Sequence, residues 1–144
     1  MSAKDRAVGE GAIMRSIIRQ SVVLPSAAAT LYAMYLDPAI HAAFTGAPVT
    51  IGATPGAPFR AFEDRLSGTM LAVVAPTLIV QSWRSVHFGE SDPDSTVILG
   101  FAPAGEAGRI DLVHLDVPEQ DYQGVTEGWE KFYWTPWRDY LARR

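Results

Sequence analysis

The strongest periodic signal lies at the end of the chain, in DYQGVTEGWEKFYWTPWRDYLARR from Asp121 to Arg144. Tyr122, Val125, Trp129, Phe132, Tyr133, Pro136, Trp137, Tyr140 and Leu141 recur at steps of three and four, which stacks them on one side of an α-helix. Gln123, Glu127, Lys131, Arg138 and Asp139 take the other side. Most of the apolar positions are aromatic, and such side chains bury the largest areas, so this face requires a broad concave partner. A curved sheet supplies one.

Upstream the pattern predicts that sheet. From Ile13 to Leu24 the β-branched Ile13, Ile17, Ile18, Val22 and Val23 alternate with Arg15, Arg19 and Gln20, the signature of a long first strand with Ile18, Gln20 and Val22 on its inner face. Pro25-Ser26 ends it, and Ser26 is the expected N-cap of a helix whose buried side is Leu31, Tyr32 and Tyr35. Asp37-Pro38 repeats the start signal for a second short helix, which Gly46 closes. Beyond Gly46 the period shortens toward two, and six strands are predicted: Pro48 to Ile51, Phe59 to Phe62, Thr69 to Val74, Leu78 to Phe88, Thr96 to Ala102 and Arg109 to Val117. GATPGAP, EDRLSG, Ala75-Pro76, GESDPDS and PAGEAG separate them with turn chemistry. Loops this short imply an antiparallel meander. Val97, Leu99 and Phe101 mark one apolar face, and Ile79, Gln81 and Trp83 a less regular one. In the last strand both parities are apolar, so alternation leaves open whether Ile110, Leu112 and His114 or Val113, Leu115 and Val117 face inward.

The 144 residues suit one domain, read as residues 13–144, behind a charged, Gly-containing tail over residues 1–12 that is either disordered or an expression remnant. The chain has no cysteine, which excludes disulfides, thiolate catalysis and Cys-based metal sites and fits a reducing, cytoplasmic setting. A formal charge of −4, without a basic run beyond Arg143-Arg144, argues against nucleic acid as a partner. The longest apolar run, Met70 to Val80, is too short to span a bilayer and is broken by Pro76, and no signal-type apolar region follows the N-terminus. A soluble, unexported protein without membrane insertion is expected.

Three stretches carry a resemblance: AFTGAPV at Ala43 to Val49, LSGTMLAVVAPTLIVQSWR at Leu66 to Arg84, and GWEKFYW at Gly128 to Trp134. Together with the element order, they resemble the C-terminal domain of the activator of heat-shock protein 90 ATPase and its stand-alone homologues, within the START-like (SRPBCC, helix-grip) superfamily. The likeness runs from Ile17 to Leu141. It implies an α+β fold in which a curved antiparallel sheet, ordered as strand, two short helices and six strands, wraps around a long C-terminal helix and closes a cavity often used for hydrophobic molecules. It also implies a heat-shock protein 90 chaperone as a possible partner. The eukaryotic activator carries a separate N-terminal domain that contacts the chaperone, for which this chain has no room, so ligand binding is placed ahead of chaperone activation.

The expected ligand cavity is lined by Ile18, Gln20 and Val22 from the first strand, Trp83, Leu99, Phe101, Leu112 and His114 from later strands, and Trp129, Phe132, Tyr133 and Pro136 from the helix. The alternative for its aromatic members is plain core. Pro136 lacks an N–H for the Phe132 carbonyl, so a kink is expected there, with a freed carbonyl, a bend that follows the sheet, or a new N-cap at Thr135 as its consequences. His41 reads as helix surface, while His87 or His114 could supply a polar contact in the cavity. The three histidines share no ligand spacing, and Glu63-Asp64-Arg65 reads as a solvated hairpin tip. With no phosphate loop and no G-x-S-x-G, no catalytic residue, metal or cofactor is assigned. The expected function is binding of a small hydrophobic or amphipathic ligand; the alternatives are a co-chaperone and a cyclase- or hydrolase-type enzyme.

Overall fold

The computed structural model describes residues 15–143. The expected tail and the start of the first strand at Ile13 lie outside the described residues. The strands are β1 (Arg15–Leu24), β2 (Val49–Thr50), β3 (Pro58–Ala61), β4 (Leu66–Val74), β5 (Leu78–Ser85), β6 (Ser95–Ala104) and β7 (Ala107–Pro118). They form one curved antiparallel sheet in the order β1-β7-β6-β5-β4-β3-β2, so consecutive strands after β2 are neighbours and the first strand closes against the last. Helices α1 (Ala28–Leu36) and α2 (Pro38–Thr45) fill the crossover from β1 to β2, and a long C-terminal helix lies across the concave face. This is the helix-grip arrangement.

Local chemistry accounts for most boundaries. Asp37 caps α2 by accepting from the amides of Ala39 and Ile40 at 2.9 and 3.2 Å, with Pro38 in the first turn. Gly46 ends α2 in the left-handed conformation at φ 81°. Ser26 does not cap α1 as expected: Ala27 holds that position without a side-chain bond. The turn is held instead by its close seat on β7, where a Cβ on Gly108 would lie 2.8 Å from the Ser26 carbonyl oxygen and 2.9 Å from the Ala28 Cα. The segment Leu66-Ser67-Gly68, expected in a loop, belongs to β4. At Gly68 the backbone of Ser82 passes so near that a Cβ would overlap its carbonyl, so this glycine marks a close strand approach rather than a turn. Leu78 to Phe88 was expected as one strand, but β5 stops at Ser85, where the chain turns back over Phe88.

Alternation inside the sheet is as the pattern required. Ile18 and Leu24 are buried on the inner face of β1, with Gln20 and Val22 half-buried between them. Ile110, Leu112 and His114 face inward from β7. The outward parity of β7 is apolar because it continues an outer row, Val113 beside Ile98 beside Val80, that is only partly covered.

The C-terminal helix consists of α3 (Tyr122–Trp129), a π-helical segment Glu130–Trp134, and α4 (Thr135–Ala142). Backbone angles stay helical throughout, so neither a break nor a new N-cap forms at Thr135 (φ −66°, ψ −52°). Just before Pro136 the chain widens by one residue, and the Thr135 amide donates to the Glu130 carbonyl. Widening moves the preceding carbonyls away from the proline ring. It also shifts the helical phase. Trp134, which α-helical spacing places off the apolar face, is buried, while Phe132, expected inside, is 46% exposed. Trp129, Tyr133, Trp134 and Trp137 form the buried ridge.

Removing one buried Phe or Trp side chain costs roughly 3–5 kcal/mol, and a domain is stable by about 5–15 kcal/mol. A chain ending at Glu119 therefore loses the fold; differential scanning calorimetry should show no cooperative transition, and a cooperative melt would show that the sheet and first helices suffice.

Candidate functional site: an aromatic cleft beside the C-terminal helix

The cleft is assembled from two turns and one helix face. In the turn from β3 to β4, Phe62, Glu63 and Asp64 all have positive φ, at 53°, 58° and 66°. That conformation is strained for non-glycine residues, and here it swings Phe62 against the helix, 5.5 Å from the Phe132 ring and 6.0 Å from the Tyr133 ring. The Arg65 carbonyl accepts from the Val86 amide at 3.0 Å, tying this turn to the loop after β5. That loop is braced by Arg84, which donates to the carbonyls of Asp92 and Gly89 at 2.7 Å each. Asp92 accepts in turn from the Gly89 amide at 2.8 Å and Gln120 Nε2 at 3.3 Å. Ser85 and His87 are thereby held at the mouth.

The resulting cleft has a volume of about 350 Å³, walls that are mainly apolar, and one side open to solvent. Phe62, Leu66 and Trp83 line the sheet side; Val125, Trp129, Phe132 and Tyr133 line the helix side; Arg65, His87 and Asp121 stand among the polar lining groups. Gly124 and Gly128 face the cleft one helical turn apart. A Cβ at Gly124 would meet nothing within 4 Å, and one at Gly128 would meet only the Phe132 ring at 3.7 Å, so the absence of side chains leaves the space open.

Beneath the cleft lies a neutral polar network, paired throughout except at Gln81 Nε2, which is buried without a hydrogen-bond partner among the described residues. The Ser95 hydroxyl donates to the Trp83 carbonyl at 2.7 Å and lies 2.9 Å from His114 Nε2, while Trp129 Nε1 donates to His114 Nδ1 at 3.1 Å. These partners leave one consistent assignment: His114 carries its proton on Nε2 and presents a lone pair at Nδ1. Ser95 and His114 thus stand at the distance of a nucleophile and its base but with the wrong polarity. The imidazole gives a hydrogen to the serine oxygen, and an indole donates where an orienting carboxylate would accept. His41 uses the opposite tautomer. Its Nδ1 donates to the Tyr35 carbonyl at 2.7 Å, and its Nε2 accepts from the Tyr133 hydroxyl at 3.0 Å. The Tyr35 hydroxyl donates to Gln81 Oε1 at 2.6 Å. Burial pushes His114 down to about 3; burial also takes His41 down to about 4, against a smaller upward pull from its bond to the Tyr35 carbonyl. Burial raises the Tyr133 hydroxyl above its usual value.

Of the residues expected to line a cavity, the structure brings Trp83, Trp129, Phe132 and Tyr133 to the cleft. Trp83 and Trp129 stand 6.5 Å apart, ring centre to ring centre, at the inner wall. Ile18, Leu99, Phe101 and Leu112 are not in it; they are packed in the core, where the buried ridge and α1 cover the sheet. Tyr32, for example, meets Phe101 edge-on at 5.5 Å. Gln20 is committed to the protein, accepting from Trp134 Nε1 at 2.7 Å and donating to the Thr126 carbonyl at 3.0 Å. With Val22 it borders a shallower hollow on the far side of the helix. His114 lies under the cleft wall and Pro136 a turn beyond it. His41, read as surface, is fully buried, because α2 turns it toward Tyr133. Phe62, Arg65, Asp121, Gly124 and Gly128 were not singled out as cavity residues. The glycines four apart on the helix face were the available signal. Among the described residues, no group of three or more His, Asp or Glu could hold a metal ion, and no helix is long and apolar enough to cross a membrane.

The two buried histidines set a pH dependence. Each binds its proton more readily in the unfolded chain, near the ordinary value of 6.5, than in the fold. Stability is therefore full above that value and falls as pH drops through it toward about 4 for His41 and about 3 for His114. The expected loss is about 2 kcal/mol per histidine by pH 5. Chemical denaturation at pH 7 and pH 5 measures it, and His114→Gln, whose amide can both donate to Ser95 and accept from Trp129, should roughly halve the difference. A midpoint unchanged between the two pH values would contradict the assignment.

The match to the family described as "Activator of Hsp90 ATPase homolog 1-like protein" covers residues 25–142. The human activator of 90 kDa heat shock protein ATPase homolog 1 is 25% identical over 103 residues, or 72% of this chain and 30% of that protein. The chain thus spans under a third of the length of that curated relative. Among solved structures, an HSP90 activator from Plasmodium falciparum superposes with a TM-score of 0.73 at 18% identity, covering 81% of this chain and 89% of that one. Protein MLL2253 from Mesorhizobium loti does so with a TM-score of 0.77 at 16% identity, covering 89% and 98%. At such identities the structures speak for the fold alone. The extent of the family match, over the same helices, meander and C-terminal helix that build the cleft, makes this chain a member of the activator of Hsp90 ATPase homolog 1-like family.

Proposed function

We propose that the protein binds a small apolar or amphipathic molecule in the cleft between the C-terminal helix and the turns after β3 and β5. The observation that carries this reading is the open, aromatic-walled space of about 350 Å³ facing two helix glycines, a size and lining in the range of small-molecule sites. A filled core would not leave Phe132 half-exposed over it. The two histidines beneath have both ring nitrogens already hydrogen-bonded, which favours binding over catalysis. A cytoplasmic setting agrees with the cysteine-free chain.

A second reading, association with a heat-shock protein 90 chaperone, is favoured by the family and by the partly exposed apolar row Val80, Ile98 and Val113 on the outer sheet face, with Leu71 and Val74 exposed on β4. Under the first reading, adding this protein changes the chaperone's ATPase rate little; a several-fold, saturable rise would put the second first.

Ligand binding is read with 4-phenylbutanol, a neutral probe. It should change tryptophan emission saturably and stabilise the fold by about 2.7 kcal/mol at a hundred times its dissociation constant. Gly124→Leu fills the cleft from a position where a Cβ meets no atom within 4 Å and raises helix propensity by about 1 kcal/mol. It should melt no lower than the wild type yet lose the response. If this variant binds as well as the wild type, the ligand sits elsewhere; if no apolar probe shifts the wild-type melt, the cleft reading fails.

A further inference from the structure

This inference rests on the ligand-binding reading of the cleft and concerns the head group of the occupant. The apolar walls suit the body of a molecule, and Ser95 and His114 beneath them are already hydrogen-bonded, so polar contacts have to come from the mouth. One side of that mouth is basic. The bond from the Val86 amide to the Arg65 carbonyl at 3.0 Å sets Arg65, which follows the strained turn, close to His87 on the loop after β5, and both line the cleft from exposed positions. Arg15, Arg84 and Arg109 are each committed to carboxylates or carbonyls. The Arg65 guanidinium, by contrast, makes no hydrogen bond or ion pair among the described residues, and neither does the His87 ring. Lys131 adds positive charge on the helix side of the rim, its Nζ 5.3 Å from the centre of the Phe132 ring. The acidic groups nearby are placed differently. Glu63 and Asp64 precede Arg65 but do not line the cleft, while Glu127 and Glu130 are held by Gln123 and Thr135. Asp121 lines the helix side, where its Oδ2 is buried and the positive end of the helix offsets part of its charge.

We propose that the cleft selects a molecule with an aromatic or aliphatic body and a single carboxylate, the body lying among the rings and the head group accepting from the Arg65 guanidinium at the mouth, with the His87 ring as a second donor. The planar fork of an arginine matches the two oxygens of a carboxylate. One unpaired, permanently charged cation in the lining suits one negative charge, and Asp121 disfavours a head group carrying more. An ammonium in the same place meets like charge at Arg65, and an alcohol forgoes the charge.

Isothermal titration calorimetry with 4-phenylbutyrate, 4-phenylbutanol and 4-phenylbutylamine, at low ionic strength where exposed charges are least screened, holds the body constant and varies the head group. The acid should bind about fivefold tighter than the alcohol, a size in keeping with one exposed, charge-assisted contact, and the amine should be weakest. Arg65→Gln, a change at an exposed position, should bring acid and alcohol to within about twofold while leaving the affinity for the alcohol and the melting temperature unaltered. Arg60→Gln removes the same charge from an exposed position on β3 outside the cleft and should keep the preference for the acid. If the alcohol binds and the acid is no tighter, if the preference survives Arg65→Gln, or if Arg60→Gln abolishes it equally, the carboxylate proposal is overturned while the cleft remains a ligand site. Failure of all three probes to bind the wild type overturns both.

Discussion

Four large aromatic side chains of one helix, each bearing a polar hydrogen, have to be buried against a sheet without stranding those hydrogens. The way this is met organises the molecule. Trp129 donates to His114 on β7, Tyr133 to His41 on α2, and Trp134 to Gln20 on β1, so three separate elements hold the helix at three successive heights. The partners are neutral acceptors, which an apolar interior tolerates where charges would be costly. Trp137 is the exception: its Nε1 has no partner among the described residues, while its ring stacks on Phe44 at 4.2 Å. The π-helical segment belongs to the same solution, since an α-helical phase would not bring Trp134 round to Gln20.

This clamping explains where the cleft is. The ridge holds the helix firmly from Trp129 onward, but the first turns carry Gly124 and Gly128 toward the sheet side, so nothing fills the gap there. The strained turn at Phe62 and the braced loop after β5 build walls around it rather than closing it. The Ser95 hydroxyl and both nitrogens of His114 below are already paired. A bound molecule would therefore meet ring faces first and find its polar contacts among the rim groups, with Ser95 and His114 fulfilling a structural role that proximity alone could mistake for chemistry.

Legibility in the sequence followed how local each cause is. Asp37-Pro38 and Gly46 mark their helix ends because capping involves only neighbouring atoms. The inner parity of β1 was readable from Ile18, Gln20 and Val22. That of β7 was not, because Val113 continues an apolar outer row set by Ile98 and Val80 on other strands. The helix face was mostly legible, yet one extra residue in a wide turn exchanged Trp134 for Phe132, and no 3.6-residue period can register that. His41 was misread because its burial depends on Tyr133, ninety-two residues away. At the site, the aromatic walls were visible as residue types, whereas Phe62, Asp121 and the glycines owe their placement to a left-handed turn, a missing cap bond and a gap, all properties of the folded chain.

The claim that neutral histidines clamp the aromatic helix is tested most directly by the imidazole nitrogens themselves. Long-range ¹H–¹⁵N correlation spectra of the protein, followed from pH 7.5 to 5, should show His41 protonated on Nδ1 alone and His114 on Nε2 alone, with neither titrating across that range. Either ring titrating near its ordinary value of 6.5, or both carrying the proton on the same nitrogen, would contradict the account.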